Sequence, residues 1–145
     1  MPGETDDSIF RWLKLKFPQS DLKIQKVERI EQLSIQLADY FGRRLRKFDV
    51  AVEFYGSEFQ KQVWTELLKI PYGQVISYGE LARRLNKPGG FRAVGNANGA
   101  NPLPIVVPCH RVVGQNGKLV GYGDGLETKA LLLRLESGQE TLPFN

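Results

Sequence analysis

The stretch SYGELARRLNKPGGFRAVGNANG, at positions 77–99, carries the clearest signals of secondary structure in the chain. Ser77 and Glu80 have the spacing of a capping box, which predicts that a helix begins here. The NKPGG segment at 86–90 predicts a turn, because proline and glycine break helices. A second helix is expected over about 91–98. Two short helices joined by a tight turn have helix-turn-helix spacing, a pattern that also arises by chance in helical domains.

The second of these helices has an unusual composition. Gly95, Asn96, Asn98 and Gly99 are all poor helix formers. Small residues allow a backbone to approach another molecule closely, although tight packing against a neighbouring helix would use them equally well. Arg92 places a long cation near the start of this small-residue surface.

A third helix is predicted just upstream. Ser57 and Gln60 form another capping-box pattern. Four apolar residues then recur at helical spacing: Phe59, Val63, Leu67 and Ile70. The sequence PYG at 71–73 is expected to end this helix.

The region 1–54 has a separate set of sequence patterns. Apolar residues at near-helical spacing mark 9–17, and a second amphipathic pattern predicts a helix from about 27 to 41 that stops at Gly42. The basic cluster at 43–47 is interpreted as a solvated loop. Alternating apolar residues at 50–54 predict a short strand.

Composition bounds the class of protein. The chain has 145 residues, 41% hydrophobic and 25% charged, which is typical of a globular protein. A formal net charge of +4 suits a polyanionic partner. A single cysteine and a single histidine exclude an internal disulfide and argue against a zinc site, so no metal is expected. No apolar run reaches the ~20 residues of a membrane span, and the acidic start is unlike a signal peptide. A cytoplasmic protein is expected.

The chemistry is predicted to lie in NPLPIVVPCHRVVG, at 101–114. The apolar residues at 105–107 favour a buried, extended stretch, and Pro108 stiffens the backbone behind it. Cys109 and His110 then pair the only thiol with the only imidazole. A lone cysteine is more often inert and buried, but this neighbour indicates a nucleophile with a base.

The geometry of an extended chain constrains this pair. Consecutive side chains point to opposite sides, so contact between Cys109 and His110 requires a bridging water or a local kink. A free thiol has a pKa of about 8.5, and the thiolate is the nucleophile. A carboxylate should orient the imidazole, and spacing leaves both Glu127 and Glu136 as candidates.

These motifs resemble those of the methylated-DNA–protein-cysteine methyltransferases, also called O6-alkylguanine-DNA alkyltransferases. PCHRVVG at 108–114 resembles their active-site signature, and segments 74–82, 92–102 and 121–129 follow the family pattern in the same order. The resemblance covers about 55–136. It implies an α/β (α+β) fold in which 55–145 form a helical DNA-binding and alkyl-transfer domain, with a winged-helix-like helix-turn-helix and short strands. Residues 1–54 would form a reduced N-terminal region.

The resemblance implies catalytic roles for five residues. Cys109 would accept the alkyl group, His110 would be the water-mediated base, and Glu136 would orient its ring. Asn101 would brace the turn around the site. Tyr78 would crowd the phosphate of the target nucleotide and donate a proton to the departing guanine.

It also implies two further sets of residues. Arg92 would replace the extruded base within the duplex. The DNA-binding positions would be Arg92, Tyr78, Ala93, Gly95, Asn96 and Gly99. The lesion pocket would be lined by Val107, Pro108, Val112, Tyr122 and Gly123.

The implied function is DNA repair by irreversible transfer of an alkyl group from O6-alkylguanine, and less readily from O4-alkylthymine, to Cys109. The expected partner is double-stranded DNA, bound by a monomer without a cofactor, in the cytoplasm or, in a eukaryote, the nucleus. The alternative is a non-enzymatic sensor of alkyl lesions, although the sensors of this fold replace the cysteine. A transcription factor and a thiol hydrolase fit the residues less well.

Overall fold

The computed structural model of the chain describes residues 27–121 and 125–138, with side chains from residue 31 onward. The chain divides into two units, Met1–Val52 and Glu53–Asn145. The helical pattern at 9–17 lies outside the described residues, as do Tyr122 and Gly123 of the expected pocket.

In the first unit, helix α1 spans Val27–Phe41, which confirms the helix predicted there. The strand predicted at 50–54 is wrong, because these residues form no strand. The backbone of Asp49 bonds to a side chain instead of a neighbouring strand: its N–H donates to Gln36 Oε1 at 2.8 Å, and its carbonyl accepts from Gln36 Nε2 at 3.0 Å. The long amide side chain of α1 thus fixes the backbone directly before this segment.

The second unit begins with helix α2, Glu58–Leu67. The predicted capping box is present: Ser57 Oγ accepts from the Gln60 amide at 3.1 Å, and Gln60 Oε1 accepts from the Ser57 amide at 3.0 Å. The buried Trp64 indole donates to the carbonyl of Ala97 at 2.8 Å, which fastens α2 to the second helix of the helix-turn-helix.

Helices α3, Tyr78–Arg84, and α4, Phe91–Gly99, confirm the predicted pair of helices. Ser77 Oγ caps α3 by accepting from the Glu80 amide at 3.0 Å. The turn between the helices uses left-handed backbone at Asn86 and Gly89, with φ of 56° and 82°. Glycine tolerates this conformation without strain, and asparagine tolerates it better than most residues.

A short parallel sheet links this motif to the cysteine segment. Strand β1, Ile76–Ser77, precedes α3 directly, and strand β2, Val112–Val113, follows the Cys-His pair. Ile76 pairs with Val112 and Ser77 with Val113. Helix α5, Leu126–Glu136, then packs against the segment that carries the pair. The mixture of helices and short strands is the α+β class expected from the sequence.

Candidate active site

The turn that leads into the cysteine is shaped by Asn101. Its Nδ2 donates to the carbonyl of Val107 at 2.7 Å, and its Oδ1 accepts from the Leu103 amide at 3.0 Å. Residues 105–107 are buried as predicted. The extended conformation expected for them is wrong, since Pro104 bridges to Val107 and Ile105 has a φ of 77°. A buried amide side chain therefore holds a tight turn where the apolar sequence favoured a strand.

A kink then presents Cys109. Pro108 has φ −81° and ψ 66°, close to an inverse γ-turn, and the Cys109 amide donates to the Val107 carbonyl at 2.8 Å. Residues Cys109–Arg111 form one turn of 3₁₀ helix. The local kink, one of the two predicted alternatives, is thus present. Asn98 Nδ2 of α4 donates to the Cys109 carbonyl at 3.3 Å, and 5% of Cys109 is exposed.

His110 is fully buried against Glu136. Its Nε2 lies 2.5 Å from Glu136 Oε2, and both side chains are almost completely hidden from solvent. Glu127, the other candidate carboxylate, is exposed at the start of α5. Of the two glutamates left open by spacing, the structure therefore brings Glu136 to the histidine.

Burial lowers the pKa of His110 below its usual range, although Glu136 opposes this shift. The ring is therefore neutral at pH 7. A carboxylate only accepts hydrogen bonds, so Nε2 carries the proton and Nδ1 keeps a lone pair. Nδ1 is buried and has no hydrogen-bond partner in the described part of the chain. The ring thus offers one basic atom whose tautomer is set by Glu136.

Arg111 completes this network, and sequence reasoning assigned it no role. Its Nε and Nη2 donate to the two oxygens of Glu136 at 2.7 and 3.1 Å, and its Nη1 donates to the Ile70 carbonyl at 2.7 Å. The Gly73 amide donates a further hydrogen bond to Glu136 Oε1 at 3.2 Å. The signal available in the sequence was the position of this arginine directly after the Cys-His pair. An arginine that is buried there needs a carboxylate partner.

Lys129 was missed as well. Its side chain is fully buried, and Nζ donates to the carbonyls of Val120 and Gly121 at 3.0 and 3.4 Å. It lies 5.6 Å from the centre of the Tyr78 ring, whose hydroxyl donates to the same carbonyls at 3.2 and 3.4 Å. Two side chains from α3 and α5 therefore hold the backbone at 120–121.

The electrostatics of this pair fit a site beside the thiol. Burial lowers the pKa of Lys129 to about 8, and the charge of Cys109 opposes the shift. Burial raises the pKa of Tyr78. A hydrogen bond with Asn98 partly opposes this rise, and the charge of Cys109 makes a smaller contribution that adds to it. At pH 7 Lys129 is therefore mostly charged and Tyr78 stays protonated, so both can donate a proton near Cys109.

Lys129→Met is expected to weaken the dependence of stability on pH. The folded protein releases the Lys129 proton above about pH 8, whereas the unfolded chain holds it up to its ordinary pKa of 10.5. Between these values the unfolded state binds more protons, so the free energy of unfolding should rise with pH. Denaturant unfolding at several pH values measures this slope. Lys118→Met, at an exposed position, should keep it, and an unchanged slope in Lys129→Met would contradict the assignment.

The predicted DNA-binding residues lie on α4 and at the start of α3. Arg92, Ala93, Asn96 and Gly99 are exposed. Gly95 is half-buried, and a Cβ there would stand 3.9 Å from the Tyr78 ring, whereas a Cβ at Gly99 would meet open space. The exposed surface of α4 therefore carries only short side chains, apart from Phe91 and Arg92 near its start.

The described part of the expected lesion pocket is apolar. Val107 and Val112 are fully buried, and Pro108 is buried between Val107 and Cys109. No group of histidine, cysteine and carboxylate residues suited to a metal occurs within 27–121 and 125–138. Over the same ranges, no helix is both long and apolar enough to cross a bilayer.

Comparison with known proteins identifies the family. The family model described as "6-O-methylguanine DNA methyltransferase, DNA binding domain" matches residues 58–138, more than half of the chain. An inducible methylated-DNA–protein-cysteine methyltransferase of Bacillus subtilis is 45% identical over 130 residues, which are 90% of this chain and 72% of that protein. A methylated-DNA–protein-cysteine methyltransferase of Methanosarcina acetivorans is 48% identical, over 85% of this chain and 79% of its own.

Solved structures agree with the sequence relatives. Mycobacterium tuberculosis OGT in complex with DNA matches with a TM-score of 0.72 and 52% identity, over 73% of this chain and 66% of that one. An O6-methylguanine DNA methyltransferase from Methanococcus jannaschii matches with a TM-score of 0.61 and 30% identity, over 97% of this chain and 82% of its own. The resemblance drawn from the motifs is confirmed, and the chain belongs to the methylated-DNA–protein-cysteine methyltransferase family.

Proposed function

We propose that this protein repairs alkylated DNA by moving the alkyl group from O6 of guanine, and less readily from O4 of thymine, to Cys109. The observation that carries the proposal is the kinked turn that holds the thiol directly before a histidine whose tautomer is set by the buried Glu136. Relatives that match most of the chain are named for transfer from methylated DNA to a cysteine. No cofactor is required, because the protein itself supplies the acceptor.

The first step is removal of the thiol proton. The neutral His110 ring has one buried atom with a free lone pair, Nδ1. A water between this atom and the Cys109 sulfur would relay the proton, and Glu136 would stabilise the resulting imidazolium across the 2.5 Å contact. Asn101 acts indirectly by holding the turn that positions the sulfur.

The second step exchanges one bond for another. The Cys109 thiolate attacks the alkyl carbon, an S–C bond forms, and the C–O6 bond breaks with its electron pair passing to guanine. The Tyr78 hydroxyl, kept protonated by its raised pKa, supplies a proton to the leaving base. The product thioether has no hydrolytic route back to a thiol, so each molecule acts once.

Guanine O6 lies within the base stack, so the nucleotide must first leave the duplex, at a cost of a few kcal/mol. The short side chains on the exposed surface of α4 let its backbone approach the minor groove, where little sequence information is displayed. That suits a protein that searches every sequence for damage. Arg92 would occupy the space left by the base, while Ala93, Gly95, Asn96 and Gly99 line the contact.

The same proposal includes the oligomeric state, the location in the cell, the division of the chain into regions and the lining of the lesion pocket. The protein acts as a monomer on double-stranded DNA, in the cytoplasm beside the chromosome or in a nucleus. Residues 55–145 form the transfer domain, and 1–54 form a reduced N-terminal region. The lesion pocket is walled by Val107, Pro108 and Val112, and is completed by Tyr122 and Gly123.

A titration tests the proposal. Increasing amounts of a duplex containing O6-methylguanine are incubated with a fixed amount of protein, and the lesion that remains is measured after digestion to nucleosides. Repair predicts removal that stops at one lesion per protein molecule. Binding without removal would favour the lesion sensor instead, and continued removal beyond one equivalent would contradict transfer to the protein.

Arg92→Ala is expected to slow transfer from duplex DNA by about tenfold or more, because unstacking costs a few kcal/mol that the guanidinium partly offsets. Transfer from a single-stranded oligonucleotide should change little, since its base needs less extrusion. Single-turnover rates on both substrates measure the ratio. Arg134→Ala removes an equal charge from an exposed position on α5 and should match the wild type. Equal slowing on both substrates would contradict the role in extrusion.

A further inference from the structure

Phe91, the first residue of α4, is an exposed aromatic side chain that the proposed function leaves unused. More than half of its surface, 55%, is exposed, and none of the ring pairs among the described residues includes it. A phenyl ring left in water forfeits the free energy that burial would provide. The residue also stands directly before Arg92, on a helix whose exposed surface is otherwise built from small residues.

The helical repeat places Phe91 between two functional surfaces. Phe91 and Gly95 are one turn apart and so share a side of α4, and that side faces the Tyr78 ring at Gly95. The adjacent exposed side carries the outer row, which consists of Arg92, Asn96 and Gly99. Phe91 therefore lies at the border between the surface expected to follow DNA and the side that leads to Tyr78.

Hydrogen bonds hold the backbone on either side of this residue. The Gly90 amide donates to the Lys87 carbonyl at 2.8 Å, and the Val94 amide donates to the Gly90 carbonyl at 3.0 Å. A Cβ at Gly90 would lie 2.9 Å from the Lys87 carbonyl oxygen, so the turn closes tightly behind the helix start. Side chains at the first position of a helix lean toward its N-terminus, which directs the ring past the end of α4.

We propose that Phe91 is an apolar wedge that enters the base stack beside the extruded nucleotide, next to Arg92. This inference rests on the proposed extrusion of the target nucleotide. Extrusion removes stacking from the bases on either side of the gap, and a flat ring can replace part of it, because aromatic side chains stack on any base. Proteins that bind the minor groove insert phenylalanine and other apolar side chains between base steps in this way. Phe91 thereby determines how readily a duplex opens.

The test compares Phe91→Ala and Phe91→Leu with the wild type on two substrates. One is a duplex with O6-methylguanine next to 2-aminopurine, whose fluorescence rises on unstacking, and the other is a single-stranded oligonucleotide with the same lesion. Phe91→Ala should slow transfer from the duplex about tenfold, which corresponds to about 1.4 kcal/mol, and should reduce the fluorescence rise. Phe91→Leu should fall between the two, and transfer from the single strand should stay within about twofold.

Tyr55→Ala is the matched control, because Tyr55 is an aromatic residue with 79% of its surface exposed outside the helix-turn-helix. It should behave as the wild type. Wild-type rates and fluorescence in Phe91→Ala would overturn the proposal, as would equal slowing on both substrates. A wild-type protein that transfers nothing would refute the proposed function, and the fluorescence of bound duplex would still decide the role of Phe91.

Discussion

Cys109→Ala is expected to bind duplex DNA as the wild type does and to remove no methyl group from it. Cys109 is the only thiol in the chain, so no second sulfur can accept the alkyl group. The backbone bonds of its turn and those from Asn98 and Asn101 do not involve the sulfur atom, so they survive the substitution. Fluorescence anisotropy measures binding, and nucleoside analysis measures the remaining lesion.

Cys109→Ser is the matched control for this prediction. A hydroxyl keeps the shape of the side chain, but its oxygen is a much weaker nucleophile than a thiolate, so this variant should also bind without transfer. Removal of the lesion by Cys109→Ala would refute the assignment of the acceptor. Loss of DNA binding in both variants would show that binding and chemistry are not separable here.

Glu136→Gln is expected to lose both stability and transfer. The carboxylate is buried and bonds to His110, Arg111 and the Gly73 amide. Without its charge, Arg111 is left as an uncompensated buried cation, which costs about 3 kcal/mol or more. The His110 tautomer is no longer set, so single-turnover transfer should slow by about 10²-fold, the lower range for general-base effects. Denaturant unfolding and rapid quenching measure the two losses.

A double variant separates these two losses. Combining Glu136→Leu with Arg111→Met removes both charges of the pair, and apolar replacement of a buried ion pair often restores stability. Transfer should stay slow, because His110 still lacks its carboxylate. Glu127→Gln, exposed on the same helix, should leave stability and transfer unchanged. Wild-type transfer in the double variant would mean that Glu136 serves the fold alone.

Local signals in the sequence predicted most of the helices. The capping box at Ser57 and the turn at 86–90 act over a few residues, so they could be recognised without knowing the rest of the fold. The error at 105–107 has a visible cause, because Asn101 bonds to the Val107 carbonyl and holds a turn where apolar residues tend to form a strand.

The candidate site was predictable where its residues are adjacent. The Cys109–His110 pair stood out on its own, whereas Arg111 and Lys129 became visible only through partners that are distant in sequence. The choice between Glu127 and Glu136 depended on how α5 packs. Nine residues along a helix correspond to about two and a half turns, so the two glutamates lie on opposite faces. Only the buried face, shared by Lys129, Leu132 and Glu136, reaches the histidine.

In the proposed reaction one sulfur atom takes the alkyl group and keeps it. Mass spectrometry of proteolytic peptides can locate that group, after the protein reacts with a duplex whose O6-methyl group carries a stable isotope. We expect one labelled methyl group per molecule, on the peptide that contains Cys109 and assigned to its sulfur by fragmentation. A duplex that loses its methyl group while Cys109 remains an unmodified thiol would contradict it.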